Sequence, residues 1–305
     1  MSPFTKESAV PFGISLTGNE ANALRIGVPA LAGDRVERLF GPAVSRGRRG
    51  LLELFETGAW LLGVASVGVR SETLERETRA VYDQILAASQ GFHIARIWNY
   101  VPAINAVGDG SMENYRVFCR GRSLAFEDRL GAGFRKTLPS GSAVGTDSMS
   151  LTVVFAASRS PTRHFENPLQ VPAYDYPKHY GPRSPSFARA TVVEHGGTSD
   201  VFISGTAAIR GHETMAPGNT REQLRYTLEN LESIAAECGT PLSGASARRT
   251  GRRAFKVYLR NADELRDVRR VLEAQLLRAG DAVSYLRADI CRSDLSVEIE
   301  ATILG

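Results

Sequence analysis

Hydrophobic and polar positions fall into two successive blocks with the same order of elements. In the first, residues 59–69 read as a strand, and residues 72–89 place Leu74, Thr78, Val81, Ile85 and Leu86 at helical spacing. A strand over 94–100, a helical piece over 114–128 and a strand over 151–155 follow. The second block repeats this. Residues 201–205 form a strand, and a helix carrying Leu224, Leu228, Leu231, Ile234 and Ala235 comes next. Thr220 is the expected cap of that helix, with Gln223 three residues on completing a capping box. Gly239 is its expected left-handed stop. A strand over 255–259, a helix over 262–278 and a strand over 295–303 close the chain.

Two β-α-β-α-β blocks predict an α+β fold made by duplication of a small unit, each a sheet backed by two helices. The same alternation admits a parallel α/β sheet, but no glycine-rich βα turn of the dinucleotide type accompanies it. The expected division is 1–160 for the N-terminal half, 161–189 for a connector and 190–305 for the C-terminal half. The connector packs Tyr174, Tyr176, Tyr180, Pro177, Pro182, Pro185, Arg183 and Arg189 into one short stretch. Aromatic and arginine side chains are costly in a mobile tether and suited to lining a pocket.

The last strand carries the sharpest signal. Leu295, Val297 and Ile299 share one face, so Glu298 and Glu300 share the other, with Cys291 shortly upstream. A carboxylate on a rigid strand is a well-held proton donor if its face looks into a pocket. The plain alternative is an edge strand with two solvated glutamates. In the duplicated block the position of Glu298 falls on Val154, so an acid in one copy alone points to one working site.

Length and composition narrow the classes. The 305 residues are 43% hydrophobic and 23% charged, which is ordinary for a globular protein, and the net charge is only +4. The basic stretch 248–253 lacks aromatic interleaving, so nucleic acid is not the expected partner. Scattered arginines suit an anionic small molecule instead. Cys119, Cys238 and Cys291 form no CxxC and have no histidine at metal spacing, which predicts a reduced cytoplasmic setting and no metal site. Residues 1–19 lack a secretory pattern, and apolar runs such as 60–65 are too short to span a bilayer, so no membrane partner is expected.

Ser204, Gly205, Thr206, Ala207 and Ala208 end a strand with small side chains, which lets a ligand approach the backbone closely. Such a run is also an ordinary turn. His212, beside Glu213, could act as a base, although a loop histidine there commonly serves as a structural hydrogen-bond partner. Arg116, Arg120 and Arg122 read as surface charges by default.

Taken together, W-N-Y-V-P-A-I-N from Trp98, E-N-Y-R-V-F-C-R-G-R from Glu113, H-Y-G-P-R-S-P-S-F-A-R-A from His179, I-S-G-T-A-A-I-R-G-H-E-T from Ile203 and V-E-I-E from Val297 resemble the chorismatase family. The second half also resembles the wider RidA/YjgF superfamily, whose unit has a chorismate-mutase-like α+β fold. The resemblance implies two fused units in a monomer. It also implies cleavage of chorismate with release of pyruvate from its enolpyruvyl ether, without metal or organic cofactor. Glu298 matches the family's proton donor to the enolpyruvyl methylene, a role needing a neutral acid near pH 7. Arg183 is the best match for holding a substrate carboxylate, with Tyr115, Arg116 and Arg122 as further contacts. Tyr180 and residues 204–208 are expected to shape the ring site.

The family divides by product. One branch adds water and yields a dihydroxycyclohexadiene carboxylate. Another uses the substrate's 4-hydroxyl as nucleophile, passes through an arene-oxide-like intermediate and yields 3-hydroxybenzoate; a third yields 4-hydroxybenzoate. Cys291, seven residues before Glu298, resembles the 3-hydroxybenzoate branch, where the hydrolytic branch has alanine. Ala208 departs from that branch, which tends to have glycine there. The implied activity is chorismate to 3-hydroxybenzoate and pyruvate. The alternatives are the hydrolytic reaction or a RidA-like small-molecule binder or imine deaminase.

Overall fold

The computed structural model describes residues 10–38, 40–108, 111–243 and 251–305. Residues 1–9 of the N-terminal segment, and Arg248, Arg249 and Thr250 of the basic stretch, lie outside these. In chain order the elements are β1 (Pro11–Ile14), β2 (Leu24–Gly33), β3 (Val36–Glu37), β4 (Val44–Arg49), β5 (Leu52–Thr57), β6 (Trp60–Gly68) and α1 (Leu74–Ala88). Then come β7 (His93–Pro102), α2 (Asn114–Leu130), β8 (Ser140–Thr146), β9 (Ser150–Ser158), β10 (Thr162–Phe165), β11 (Ala190–His195) and β12 (Thr198–Ala207). The chain ends with β13 (Ile209–Arg210), β14 (Glu213–Thr214), α3 (Thr220–Glu237), β15 (Arg252–Leu259), α4 (Leu265–Gln275), β16 (Ala282–Arg287) and β17 (Val297–Leu304).

One sheet runs β4-β5-β6-β9-β7-β8 and the other β10-β11-β12-β17-β15-β16-β2-β1-β3. The duplication is visible in the pairing. β6-β9-β7-β8 and β12-β17-β15-β16 have the same neighbours in the same sense: two antiparallel pairs, then one parallel pair. The fold is α+β, and the all-parallel alternative is excluded by these antiparallel ladders. Val154 and Glu298 lie on the corresponding strands β9 and β17.

Four layers follow from which side chains are apolar. Val81, Ile85, Phe118 and Phe126 of α1 and α2 pack on Ile97, Val153 and Phe155 of the first sheet. Leu224, Leu231, Val268 and Leu272 of α3 and α4 pack on Val257, Val297, Ile299 and Ile303 of the second. The opposite faces of the sheets meet through Leu62, Trp98, Tyr100, Val154, Phe202, Tyr258 and Leu286. A strand such as β17 is therefore buried on both faces. No helix among the described residues is long and apolar enough to cross a membrane.

Several local expectations change. Asn219, not Thr220, caps α3: its side chain accepts from the Glu222 amide at 3.1 Å. Gln223 is fully buried and makes no capping box. Its side-chain amide donates to Asp294 O at 2.8 Å and accepts from Ser296 N at 2.7 Å, pinning α3 to the segment before β17. Gly239, at φ +67°, follows the helix end. The helix expected over 262–278 is a short 3₁₀ turn (Ala262–Glu264) followed by α4. The strands β1, β2 and β3, ahead of residue 160, pair onto β16 and extend the second sheet rather than the first.

Candidate active site

Glu298 sits in the middle of the second sheet, with Ala207 of β12 and Tyr258 of β15 as its neighbours across the ladder. The edge-strand reading of β17 fails, since Glu298 and Glu300 are each only 3% exposed. Their face looks across at β7 and β8 of the other sheet. Pairing between β12 and β17 is irregular between Ile203 and Thr206, so Ser204 and Gly205 fall in a bulge beside Glu298. Bulges commonly re-aim side chains next to active sites. A side chain on Gly205 has no room, because its Cβ would fall 2.1 Å from Glu298 Oε1.

The two acids have opposite electrostatics. Burial, then the charge of Glu300, pushes the Glu298 carboxyl up to about 8 against the pull of Arg96 and Arg189. Its Oε1 is buried without a hydrogen-bond partner among the described residues. A buried carboxyl so poorly solvated is more stable neutral, which makes it a proton donor near pH 7. Burial would raise Glu300 too, but Lys256 and Arg96 outweigh it and hold that carboxyl below its ordinary range. Lys256 Nζ and Arg96 Nη2 each approach Glu300 at 2.6 Å, and Trp98 Nε1 donates to it at 3.0 Å.

Glu298 opens onto a cavity of about 240 Å³ between the halves. α2 contributes Tyr115, Arg116 and Arg122, β8 contributes Ser142, the connector contributes Tyr176, Tyr180, Phe187 and Arg189, and the segment before β17 contributes Cys291 and Arg292. Arg122 is 2% exposed, with its guanidinium 4.9 Å from the ring centroid of Phe118 and 6.0 Å from that of Phe187. Arg292 stacks on Tyr180 at 4.1 Å and donates to His212 O at 2.9 Å. Neither makes an ion pair among the described residues. Arg189 donates to Tyr176 Oη at 2.8 Å and lies 4.0 Å from Glu166. Arginines so placed can receive carboxylates through fork geometry. Burial, followed by the nearby Glu298, pushes the Cys291 thiol up to about 12, so Cys291 is a neutral thiol on the wall. No cluster of three or more metal-ligating side chains occurs among the described residues.

The cavity brings together Glu298, Cys291, Tyr180, Gly205, Ala207, Tyr115, Arg116 and Arg122 of the residues expected from sequence. It does not include Arg183, which turns outward and pairs with Glu127 at 2.6 Å. Gly181, two residues before it, has a positive φ of 146°. Ser204 is spent on structure: its hydroxyl accepts from Gly141 N and donates to Ala188 O. Thr206 points away from the cavity and donates to Ser204 O, and Ala208 is sealed in an apolar cluster with Ile290 and Leu295. His212 sits behind the wall, its Nδ1 at 3.3 Å from Tyr180 Oη, and Arg120 pairs with Glu75 on the outside.

Sequence reasoning gave no site role to Arg292 or Ser142, and met Arg189 and Phe187 only as parts of the pocket-lining connector. Arg189 carried a signal, since it directly precedes the apolar run of β11, where a charge is bound to be buried. Arg292 carried none.

Comparison with known proteins agrees with this geometry. Residues 40–157 match the family model described as chorismatase FkbO/Hyg5-like, N-terminal. A 3-hydroxybenzoate synthase of Streptomyces hygroscopicus is 40% identical over 74% of this chain and 69% of its own length. A chorismatase of Streptomyces rapamycinicus is 37% identical over 81% of this chain and 75% of its own. A solved chorismatase structure superimposes with a TM-score of 0.76 at 34% identity, covering 86% of this chain and 80% of that one. The chain belongs to the chorismatase family.

Proposed function

We propose that this chain converts chorismate to 3-hydroxybenzoate and pyruvate. The observation that carries the reading is Glu298: a buried, neutral-poised carboxyl with an unpaired oxygen, set on a central strand at the floor of a cavity walled by arginines. Its proton passes to the enolpyruvyl methylene carbon. The enol ether becomes an oxocarbenium, and the bond from the ring carbon to the ether oxygen breaks as that oxygen becomes the keto oxygen of pyruvate. The substrate's 4-hydroxyl oxygen bonds to the vacated ring carbon and gives up its proton, restoring the acid. Opening and aromatisation of the arene-oxide-like intermediate give 3-hydroxybenzoate. The atoms of chorismate equal those of the two products, so no water, metal or organic cofactor is consumed.

The arginines have matching work. Chorismate carries two carboxylates, and Arg122, Arg189 and Arg292 line the cavity as buried or half-buried cations well suited to hold them, while Arg116, also on the wall, is paired with Glu113. Cys291 and Phe187 present weakly polar and apolar surface toward the ring, which disfavours entry of water. The hydrolytic branch is the second reading, favoured by Ala208 alone; that residue is sealed away from the cavity. Both halves and the connector of one chain build the site, which supports a monomer as the working unit, with 1–160 and 190–305 as the two halves. The test is chorismate depletion coupled to pyruvate detection, followed by chromatography of the ring product. Equal release of pyruvate and 3-hydroxybenzoate is expected. A dihydroxycyclohexadiene carboxylate as main product would select the hydrolytic reading, and untouched chorismate would favour a binder or imine deaminase.

A further inference from the structure

Behind Glu298 lies a buried chain of alternating charges that the reaction itself does not use. Glu37 of β3, Lys256 of β15, Glu300 of β17 and Arg96 of β7 follow one another, each at most 8% exposed. Lys256 bridges Glu37 and Glu300, and Arg96 bonds both Glu300 at 2.6 Å and Ser142 Oγ, on the cavity wall, at 3.0 Å. Charges of this kind are costly to bury and are often replaceable by apolar side chains without loss of stability. Their position therefore calls for a use. Glu300 stands two residues from Glu298 on the same face of the same strand.

We propose that Glu300, clamped as an anion by Lys256, Arg96 and Trp98, is a positioning residue that keeps Glu298 in its neutral, proton-donating form. A fixed negative charge beside a second carboxyl disfavours ionisation of that carboxyl. The clamp matters because a free Glu300 could take the proton itself, and two coupled acids would then share it. With both cations on Glu300, the proton stays on Glu298, the acid that faces the cavity. The groups facing Glu298 are Glu300 from its own strand, Arg96 from β7, Arg189 ahead of β11 and, from the segment before β17, Cys291, whose thiol burial keeps protonated and uncharged. The first opposes its ionisation, and the two arginines favour it. Tyr258 and Tyr100 also face Glu300, and burial keeps both hydroxyls protonated. Glu37 sits on the far side of Lys256, where burial pushes its carboxyl up against the pull of Lys256.

This rests on the reading of Glu298 as the acid, and its signature is a pair of opposite shifts. Activity that needs protonated Glu298 falls on the alkaline side, and the limb of the kcat/KM profile reports its pKa. Glu300→Gln removes the opposing anion and leaves Arg96, so the limb should move to lower pH by roughly one unit, about a tenfold loss at a pH above it. Arg96→Gln removes a cation that favours ionisation of Glu298 while Lys256 and Trp98 still hold Glu300 as an anion, so the limb should move to higher pH. Loss of packing lowers rates but does not move the limb in opposite directions. The double variant, lacking both charges, should return near the parent limb and guards against a misfolded single variant. Infrared titration of the protonated-carboxyl stretch, assigned by its loss in Glu298→Gln, follows the same pKa without turnover. Limbs unmoved in both single variants, or moved the same way, would overturn the proposal. If Glu298→Gln turned over chorismate normally, the acid assignment itself would fall instead.

Discussion

Gly205 and Glu298 compete for one volume: a Cβ on Gly205 would fall 2.1 Å from Glu298 Oε1 and 3.2 Å from the Cβ of Ser142. The bulge in β12 and the absence of a side chain together create the slot that holds the acid. Gly205→Ala should therefore push the carboxyl off its position while leaving the sheet intact. Displacing a reacting group by about 1 Å commonly costs on the order of 10² in rate. Steady-state kinetics with chorismate check this: kcat should fall far more than KM rises.

Arg122 lines the cavity and Arg183 does not. Arg122 is buried in the wall, and losing a charge-assisted contact there should weaken binding by roughly 1.5–3 kcal/mol, seen as a raised KM or a weaker dicarboxylate inhibitor. Lysine at 122 should restore only part, because it keeps charge but not the fork. Arg183 is half exposed and paired with Glu127, so Arg183→Ala should change inhibitor affinity little and stability by no more than about 1 kcal/mol.

Cys291 lines the cavity as a neutral thiol. In the proposed reaction, displacement by the 4-hydroxyl competes with attack by water in one pocket, where a barrier difference of about 1.4 kcal/mol shifts the ratio tenfold. Cys291→Ala enlarges the wall and admits water. Chromatography should show more dihydroxycyclohexadiene carboxylate and less 3-hydroxybenzoate, with pyruvate release preserved. An unchanged product spectrum would make Cys291 a packing residue and shift product control to the β12 bulge at Ser204 and Gly205.

The buried acid also leaves a mark on stability. Below its ordinary value of 4.5, Glu298 is neutral in folded and unfolded chains alike. Between 4.5 and about 8 the unfolded chain releases the proton and the folded chain keeps it, so the contribution of this residue to stability falls as pH rises. Glu298→Gln has no proton to lose. It should be more stable than the parent near neutrality, on the order of a few kcal/mol, with the gap closing toward pH 4.5. Melting temperatures of both proteins across that range check the sign.

Much of the frame was legible in the chain, because each block alternates between period two and period 3.6 and the terminal strand shows its acids directly. What stayed hidden depends on what lies opposite. β17 looks like a half-exposed strand, yet its acidic face is buried by β7, and a single strand cannot announce its partner. Arg183 and Arg189 stand six residues apart in one motif, and only the path of the connector decides which turns inward. The capping box at Thr220 failed because Gln223 is drawn to the 294–296 segment, a tertiary demand that local spacing does not encode. β1, β2 and β3 attach to the far sheet for the same reason.

The central claim is that Glu298 supplies the proton that starts cleavage, and the most direct measurement is pyruvate release from chorismate by Glu298→Gln. Glutamine fills the same slot beside Gly205 but cannot protonate the enolpyruvyl carbon. The account predicts a loss on the order of 10²–10⁴ in kcat with the fold and inhibitor binding retained. Turnover close to that of the parent would contradict it.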